Sequence, residues 1–315
     1  MELNDKIYVA GHNGMLGSAI VRSLKKQGYN NIIGRTSKEL DLRDQIQVNE
    51  FFEKEKPDVV ILAAAKVGGI EANRTNLTDF LIENLQIETN VIKAAYNNNV
   101  KNFAFLGSTC IYPKMAPQPL KEEYLFSGPL EPTNEGYGIA KLAGLKACEY
   151  INKEHDLNYI SIMPTNLYGI NDNFHPTNSH VIAGIMRKLH LAKENNEPYV
   201  EIWGTGKAYR EFLYVDDAAD AVVFLLNNYH DNTFVNIGTG KDVTIKELAE
   251  TMKKIVGYNG ELRFNANKPD GVMRRCLDIN KIRSLGWEPK ISLEKGLTTM
   301  YEWYVENIDI VKKER

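Results

Sequence analysis

Cysteine is scarce in this chain: Cys110, Cys148 and Cys276 are the three among 315 residues, far apart, with no CxxC pair and no histidine cluster beside them. That excludes a disulfide framework and leaves no candidate set for a bound metal. Long apolar runs are missing too. The longest, Val59 to Ala65, is far short of the roughly 20 residues a membrane helix needs. The opening Met-Glu-Leu-Asn-Asp-Lys is charged, so no secretory leader is expected and a cytoplasmic location follows. Nor is there an excess of charge of one sign. With 38 Lys and Arg against 41 Asp and Glu, the net charge is −3, which gives no general attraction to nucleic acid or an anionic membrane. The partner expected is a small molecule.

What is present is an ordinary globular composition, 43% hydrophobic and 25% charged, in a chain long enough for a large core and two lobes. Short apolar runs at Lys6–Ala10, Asn31–Arg35, Asp58–Ala65, Asn102–Gly107 and Tyr159–Pro164 read as strands. They lack period-two alternation, as suits strands covered on both faces, and helical spacing fills the gaps, as in Leu16–Lys26 and Asp79–Asn97. The fold class is α/β, a doubly wound parallel sheet of Rossmann type with a smaller C-terminal substrate-binding lobe. After Pro164 the sequence turns polar and turn-rich through His180, the texture of a binding loop, and helical spacing resumes to about Lys193. Phe234–Gly238 and Glu261–Asn265 are strand-like, and Thr244–Val256 and Leu293–Asn307 are amphipathic helices. The expected division is a dinucleotide-binding domain over 1–165 with a return at about 211–240, and a nucleotide-sugar lobe over 166–210 and 241–315.

Gly11-His12-Asn13-Gly14-Met15-Leu16-Gly17 directly follows the first strand and opens a helix. In that setting glycines let backbone amides approach a pyrophosphate at the helix N-terminus. An NAD-selective site usually carries a carboxylate at the end of the second strand for the ribose hydroxyls, whereas here Gly34-Arg35-Thr36-Ser37-Lys38 stands there. The missing carboxylate, with Arg35 and Lys38 as partners for a 2′-phosphate, favours NADP; solvated loop charges are the competing reading of those two cations.

Ser108 ends the fourth strand, at the sheet edge where ligands bind, and Cys110 follows closely. Tyr137 and Lys141, four residues apart, share one helix face, so the ammonium lies near the phenol and favours its ionised form. A phenol so placed exchanges a proton with a carbonyl or alcohol while hydride moves. Gly138 and Gly144 weaken that helix by about 1 kcal/mol each against Ala, a cost that close packing or ligand approach explains.

The glycine loop with Ser108, Tyr137 and Lys141 resembles the extended short-chain dehydrogenase/reductases. Longer strings are similar to the GDP-L-fucose synthase family within them: Leu106-Gly-Ser-Thr-Cys-Ile-Tyr-Pro-Lys114, Leu130-Glu-Pro-Thr-Asn134, Met163-Pro-Thr-Asn-Leu-Tyr-Gly169 and Asp172-Asn-Phe-His-Pro-Thr-Asn-Ser-His-Val181. The likeness continues through Trp203-Gly-Thr-Gly206, Arg210-Glu-Phe-Leu-Tyr-Val-Asp-Asp217 and Lys268-Pro-Asp-Gly271.

The resemblance implies an enzyme that uses NADPH to epimerise C3 and C5 of GDP-4-keto-6-deoxy-D-mannose and to reduce the C4 ketone, and it implies a homodimer. In it Tyr137 protonates the C4 oxygen, Lys141 holds the nicotinamide ribose and tunes Tyr137, and Ser108 orients the carbonyl. Cys110 and His180 serve epimerisation. The chemistry agrees: C3 and C5 hydrogens flank the ketone, so removing one gives an enolate that Ser108 and Tyr137 stabilise, and a thiol and an imidazole suit a base and an acid on opposite faces. The resemblance puts Leu106, Gly107, Pro164, Thr165, Asn166, Leu167 and His180 against the cofactor with the glycine loop. It puts Lys188, Trp203, Arg210, Asp270 and Asp278 on the nucleotide-sugar side. One departure stands out: relatives often carry Arg at the position of Asn13 and another near Ser37. The alternatives are a C4-reductase of a related GDP-4-keto sugar such as a heptose and, from another class, a non-catalytic NADP-binding sensor. A 4,6-dehydratase is disfavoured, because Thr109 is followed by Cys110-Ile111 instead of an Asp-Glu pair.

Overall fold

The computed structural model describes residues 1–176, 178–268 and 270–309. Thr177 and Pro269, members of two of the strings above, lie outside the described residues. The first half alternates strands and helices: β1 (Ile7–Ala10), α1 (Met15–Lys26), β2 (Ile32–Ile33), α2 (Gln45–Glu55), β3 (Val59–Leu62), α3 (Ile70–Thr75), α4 (Leu77–Asn97), β4 (Asn102–Leu106), α5 (Glu135–His155) and β5 (Asn158–Pro164). Every residue of β1 and β3 is buried, as the unbroken apolar runs require of strands covered by helices on both faces. Strand β2 is shorter than its apolar run, so Arg35 lies beyond its end.

The rest of the chain adds β6 (Asn166–Tyr168), α6 (Val181–Glu194), β7 (Tyr199–Trp203), β8 (Tyr209–Tyr214), α7 (Val215–Asn228), β9 (Val235–Ile237), β10 (Asp242–Thr244), α8 (Ile245–Val256), β11 (Glu261–Asn265), β12 (Arg274–Arg275), α9 (Asn280–Ser284) and α10 (Leu293–Glu306). The main sheet has six parallel strands in the order β2-β1-β3-β4-β5-β9. The chain passes to one side of β1 for β2 and to the other for β3, so the carboxyl end of β1 is a topological switch point. The glycine loop occupies that end. Helices α4 and α5 pack together on the sheet, and α7 returns beside α1.

Strands β10, β8 and β12 form a small mixed sheet that β6 joins through β8, and β11 pairs with β7. One core cluster gathers around the main sheet. A second joins Phe174 to apolar residues of α6, α8 and α10, among them Met186, Leu189, Leu248, Met252, Leu297 and Met300. Strand β7 was not evident as a strand in sequence, although its alternate residues, Val200 and Ile202, are the buried ones. No helix among the described residues is long and apolar enough to cross a membrane. No cluster among them holds a metal.

Candidate active site

The glycine loop is built for close approach. Gly11 has φ +84°, and a Cβ there would lie 2.8 Å from the Ala64 backbone nitrogen. A Cβ on Gly17 would run into the Gly11 carbonyl. Gly14 is the N-cap of α1 and has no side chain to satisfy the first-turn amides, which leaves them for an anionic ligand. The residues therefore fit a dinucleotide pyrophosphate. His12 packs its ring against Gly34, and its buried Nδ1 meets no partner among the described residues. Asn13 is exposed, and Met15 and Leu16 pack against the main core.

The two cations expected near a 2′-phosphate differ in placement. Lys38 is exposed in the loop after β2. Arg35 turns away: its Nη2 pairs with Glu55 Oε1 at 2.8 Å, its Nη1 donates to the Gly34 carbonyl, and the guanidinium lies over the Phe51 ring. Glu55 also attracts Lys6, at the start of β1, so this ion pair sits toward the opposite end of the strands from the glycine loop. Burial of the Phe51 face and the Glu55 carboxylate together account for that orientation.

At the end of β4, Ser108 caps a short 3-10 turn, its Oγ accepting from Cys110 N at 3.2 Å. The Tyr137 phenol lies close enough to this hydroxyl and to Cys110 for both to act on its ionisation. Cys110 Sγ receives Asn134 Nδ2 at 3.0 Å and faces Arg275 Nη1 at 3.9 Å. Gly138 lets α5 press against this turn, since a Cβ there would lie 2.8 Å from the Cys110 carbonyl. Tyr137, Ser108 and Cys110 thus meet at the carboxyl edge of the sheet. Leu106 and Gly107 lead into this corner, with Gly107 N bonded to Ile162 O and its α-carbon against Met163.

Lys141 is fully buried. Its Nζ lies 3.0 Å from both Glu88 Oε1 and the Leu106 carbonyl, and over the Tyr137 ring. The expectation that Lys141 would favour an ionised Tyr137 needs correction. Burial first, then the neighbouring Cys110 and the Glu88 carboxylate hold the phenol well above its usual range, against a downward pull from Ser108.

His180 is the N-cap of α6, and the preceding Ser179 carbonyl lies where a Cβ on Gly69, in the loop after β3, would touch it. The residue is exposed, yet enough protein surrounds its ring for desolvation to lower its pKa. Pro164 ends β5, and Thr165 and Asn166 both bond the Glu211 carbonyl, which carries the chain past the carboxyl edge of the main sheet through Leu167.

On the second lobe, Trp203 is half exposed with Lys188 and Lys268 over its ring. Burial lowers the Lys188 pKa. Arg210 bonds the Asp270 carbonyl, and burial pushes it down to about 10. The Asp270 carboxylate is occupied by Thr205 N and Oγ1, both at 2.8 Å. The Asp278 carboxylate accepts from Asn280 N and Nδ2 at the start of α9. Both aspartates therefore brace loops in this structure. Sequence reasoning passed over Glu88, Asn134, Arg275 and the buried carboxyl of Asp172. The available signal was strongest for Glu88, which shares the buried face of α4 with Asn84, Val91, Ile92 and Ala95.

A model of the NAD dependent epimerase/dehydratase family matches residues 7–238. "GDP-L-fucose synthase 1" of Arabidopsis thaliana is 56% identical over 303 residues, covering 96% of this chain and 94% of that one. The solved structure of a GDP-6-OMe-4-keto-L-xylo-heptose reductase from C. jejuni is similar with TM-score 0.93 and 43% identity, covering 98% and 99% of the two chains. A GDP-L-fucose synthetase from Naegleria fowleri bound to NADP has TM-score 0.90 and 27% identity, covering 98% and 96%.

Proposed function

The chain belongs to the NAD dependent epimerase/dehydratase family, and we propose that within it the protein is an NADPH-dependent epimerase and reductase that converts GDP-4-keto-6-deoxy-D-mannose to GDP-L-fucose. The observation that carries this reading is the meeting of Cys110, Ser108 and Tyr137 at one corner of the sheet. A ketone reductase needs the phenol; a thiol beside it adds a means of moving protons at the flanking carbons.

The proposed course begins with the C4 carbonyl oxygen accepting hydrogen bonds from Ser108 and Tyr137. These donors make the C3 and C5 hydrogens acidic, because the enolate charge falls on the oxygen they hold. Cys110 and His180 serve as the base and acid: one takes the proton from carbon, and the other returns one to the opposite face. Reprotonation from that face inverts the centre. Asn134 and Arg275 aim the sulfur. For the reduction, Tyr137 passes its proton to the C4 oxygen as the carbonyl becomes an alcohol. A nicotinamide dinucleotide, its pyrophosphate against the glycine-loop amides and its ribose toward Lys141, would supply the hydride. Trp203, Lys188 and Arg210 give the nucleotide diphosphate an apolar wall and two cations. The homodimer belongs to the same proposal, supported by exposed Ile82 on α4 and Ile139 on α5, as does a cytoplasmic site of action.

Turnover in deuterated water tests the reading: GDP-L-fucose should carry deuterium at C3 and C5. A second reading, C4 reduction of a related GDP-4-keto sugar without epimerisation, is favoured by the likeness to the heptose reductase. A reduced product without carbon-bound deuterium would select it.

A further inference from the structure

Glu88 is a buried charge beside the catalytic corner for which the proposed course has no task. It projects from α4 into the space between α5 and the sheet and is 1% exposed. Neither carboxylate oxygen receives a well-directed hydrogen bond among the described residues, so the Lys141 ammonium 3.0 Å away is what holds it. The fold makes room for this group at a cost. Gly144 sits in the interior of α5, and a Cβ there would collide with the Phe105 ring and lie 2.8 Å from Glu88 Oε2. A carboxylate with one partner, deep in a core, is expensive to keep for packing alone.

Lys141 meanwhile lies over the Tyr137 ring, 5.6 Å from its centroid. An uncompensated ammonium there would favour phenolate, the wrong form for a group that must give a proton to the C4 oxygen. We propose that Glu88 is a positioning residue of the reductase step: it pins Lys141 between α4 and the Leu106 carbonyl and offsets its charge, so that the ammonium does not work against the burial that keeps Tyr137 a protonated donor. This rests on the proposed function for its chemistry. The groups facing this pair are Tyr137 and Cys148 on α5, Ser108 after β4, and Cys110 in the following turn; Cys110 and Glu88 itself oppose phenolate formation, and Lys141 draws the Glu88 carboxyl toward its charged form against the upward push of burial.

Glu88→Gln keeps the shape and removes the charge. Two measurements on the full chain test it. The first, free of any substrate, is the pH at which Tyr137 ionises, read as the phenolate absorbance lost in a Tyr137→Phe background. The second is the pH profile of NADPH oxidation by the 4-keto sugar. Reduction needs the phenol, so its rate falls as pH rises through the Tyr137 pKa. Glu88→Gln should move both the absorbance transition and that falling limb down by about one pH unit or more. Deuterium exchange at carbon, which leans on the same Tyr137 hydrogen bond, should show the same downward shift of its falling limb. Unshifted transitions, or equal loss of exchange and reduction with no shift, would overturn the proposal. If the wild-type chain reduces no 4-keto sugar, the proposed function fails while the absorbance titration still decides the role of Glu88. Should Glu88→Gln fold poorly, Glu88→Gln with Lys141→Met removes both charges. That pair should melt above either single variant if the two groups answer each other, and below both if they do not.

Discussion

Cys110 lies between two donors, Asn134 Nδ2 at 3.0 Å and Arg275 Nη1 at 3.9 Å, while its neighbour Ser108 caps the turn that carries it. If the sulfur moves protons and does not merely fill space, Cys110→Ser should slow deuterium exchange at C3 and C5 by about 10²-fold or more. Reduction of a substrate already epimerised should persist; equal loss of both activities would make Cys110 a wall of the pocket. Asp172 offers a test that needs no substrate. It is buried in the loop after β6, one oxygen accepting from Asn173 N and the other without a partner among the described residues. Burial pushes its pKa from 3.8 up to about 7. Between those values the folded protein holds a proton that the unfolded chain has released. Stability is therefore full below the lower value, declines through the interval and is lost once pH passes the upper one. Asp172→Asn cannot ionise, so its advantage over the wild type should widen by about 2 kcal/mol between pH 5 and pH 8. Urea denaturation at the two pH values measures it, and a constant gap would show that Asp172 is already charged when buried.

The helices and strands differ in how openly they announce themselves. Gly144→Ala would ordinarily strengthen a helix by about 1 kcal/mol. In α5 the added methyl meets Phe105 and Glu88, so the variant should instead lose about 1–3 kcal/mol by thermal denaturation. A gain would mean that α4 and α5 separate easily. Thr244→Ala works by another route. It removes the hydroxyl that accepts from Glu247 N in the capping box of α8, an exposed contact worth about 1 kcal/mol, and should leave catalysis untouched. The glycine in α5 was read from the sequence, and the Thr-x-x-Glu before α8 is legible there too although it was passed over, because each is a local rule written in neighbouring residues. The main-sheet strands were read as well, since their apolar runs leave no other place for them. Strands β6, β10 and β12 are two or three residues long, too short to carry a period, and exist because β8 offers them hydrogen bonds. The Ser108, Tyr137 and Cys110 corner was legible from order along the chain. The orientation of Arg35 was not, since its partner Glu55 is twenty residues away on another element.

At the scale of the whole molecule, the main sheet and the smaller lobe are joined through one buried carboxylate. Glu211 projects from β8 and is wholly buried, and burial raises its pKa against the pull of the amides around it. Its Oε1 accepts from Thr239 N at 2.6 Å and Gly240 N at 2.7 Å, just beyond β9 of the main sheet. Its Oε2 accepts from Leu277 N at 2.7 Å, between β12 and α9. The backbone carbonyl of the same residue receives Asn166 Nδ2 at 2.9 Å where the chain leaves β5. Three segments, β8 itself, the turn after β9 and the stretch before α9, thus meet on a carboxylate that can only accept, which is what converging N–H donors require. Glu211→Gln keeps the shape but turns an NH2 toward one set of amides, leaving donor against donor. It should cost about 2–4 kcal/mol. The loss should fall on the relation between lobes: in denaturation followed by NADPH binding and by Trp203 fluorescence, the Trp203 signal should be lost at lower urea than in the wild type, ahead of cofactor binding. Coincident transitions in the variant would mean that the lobes unfold as one body without this clamp.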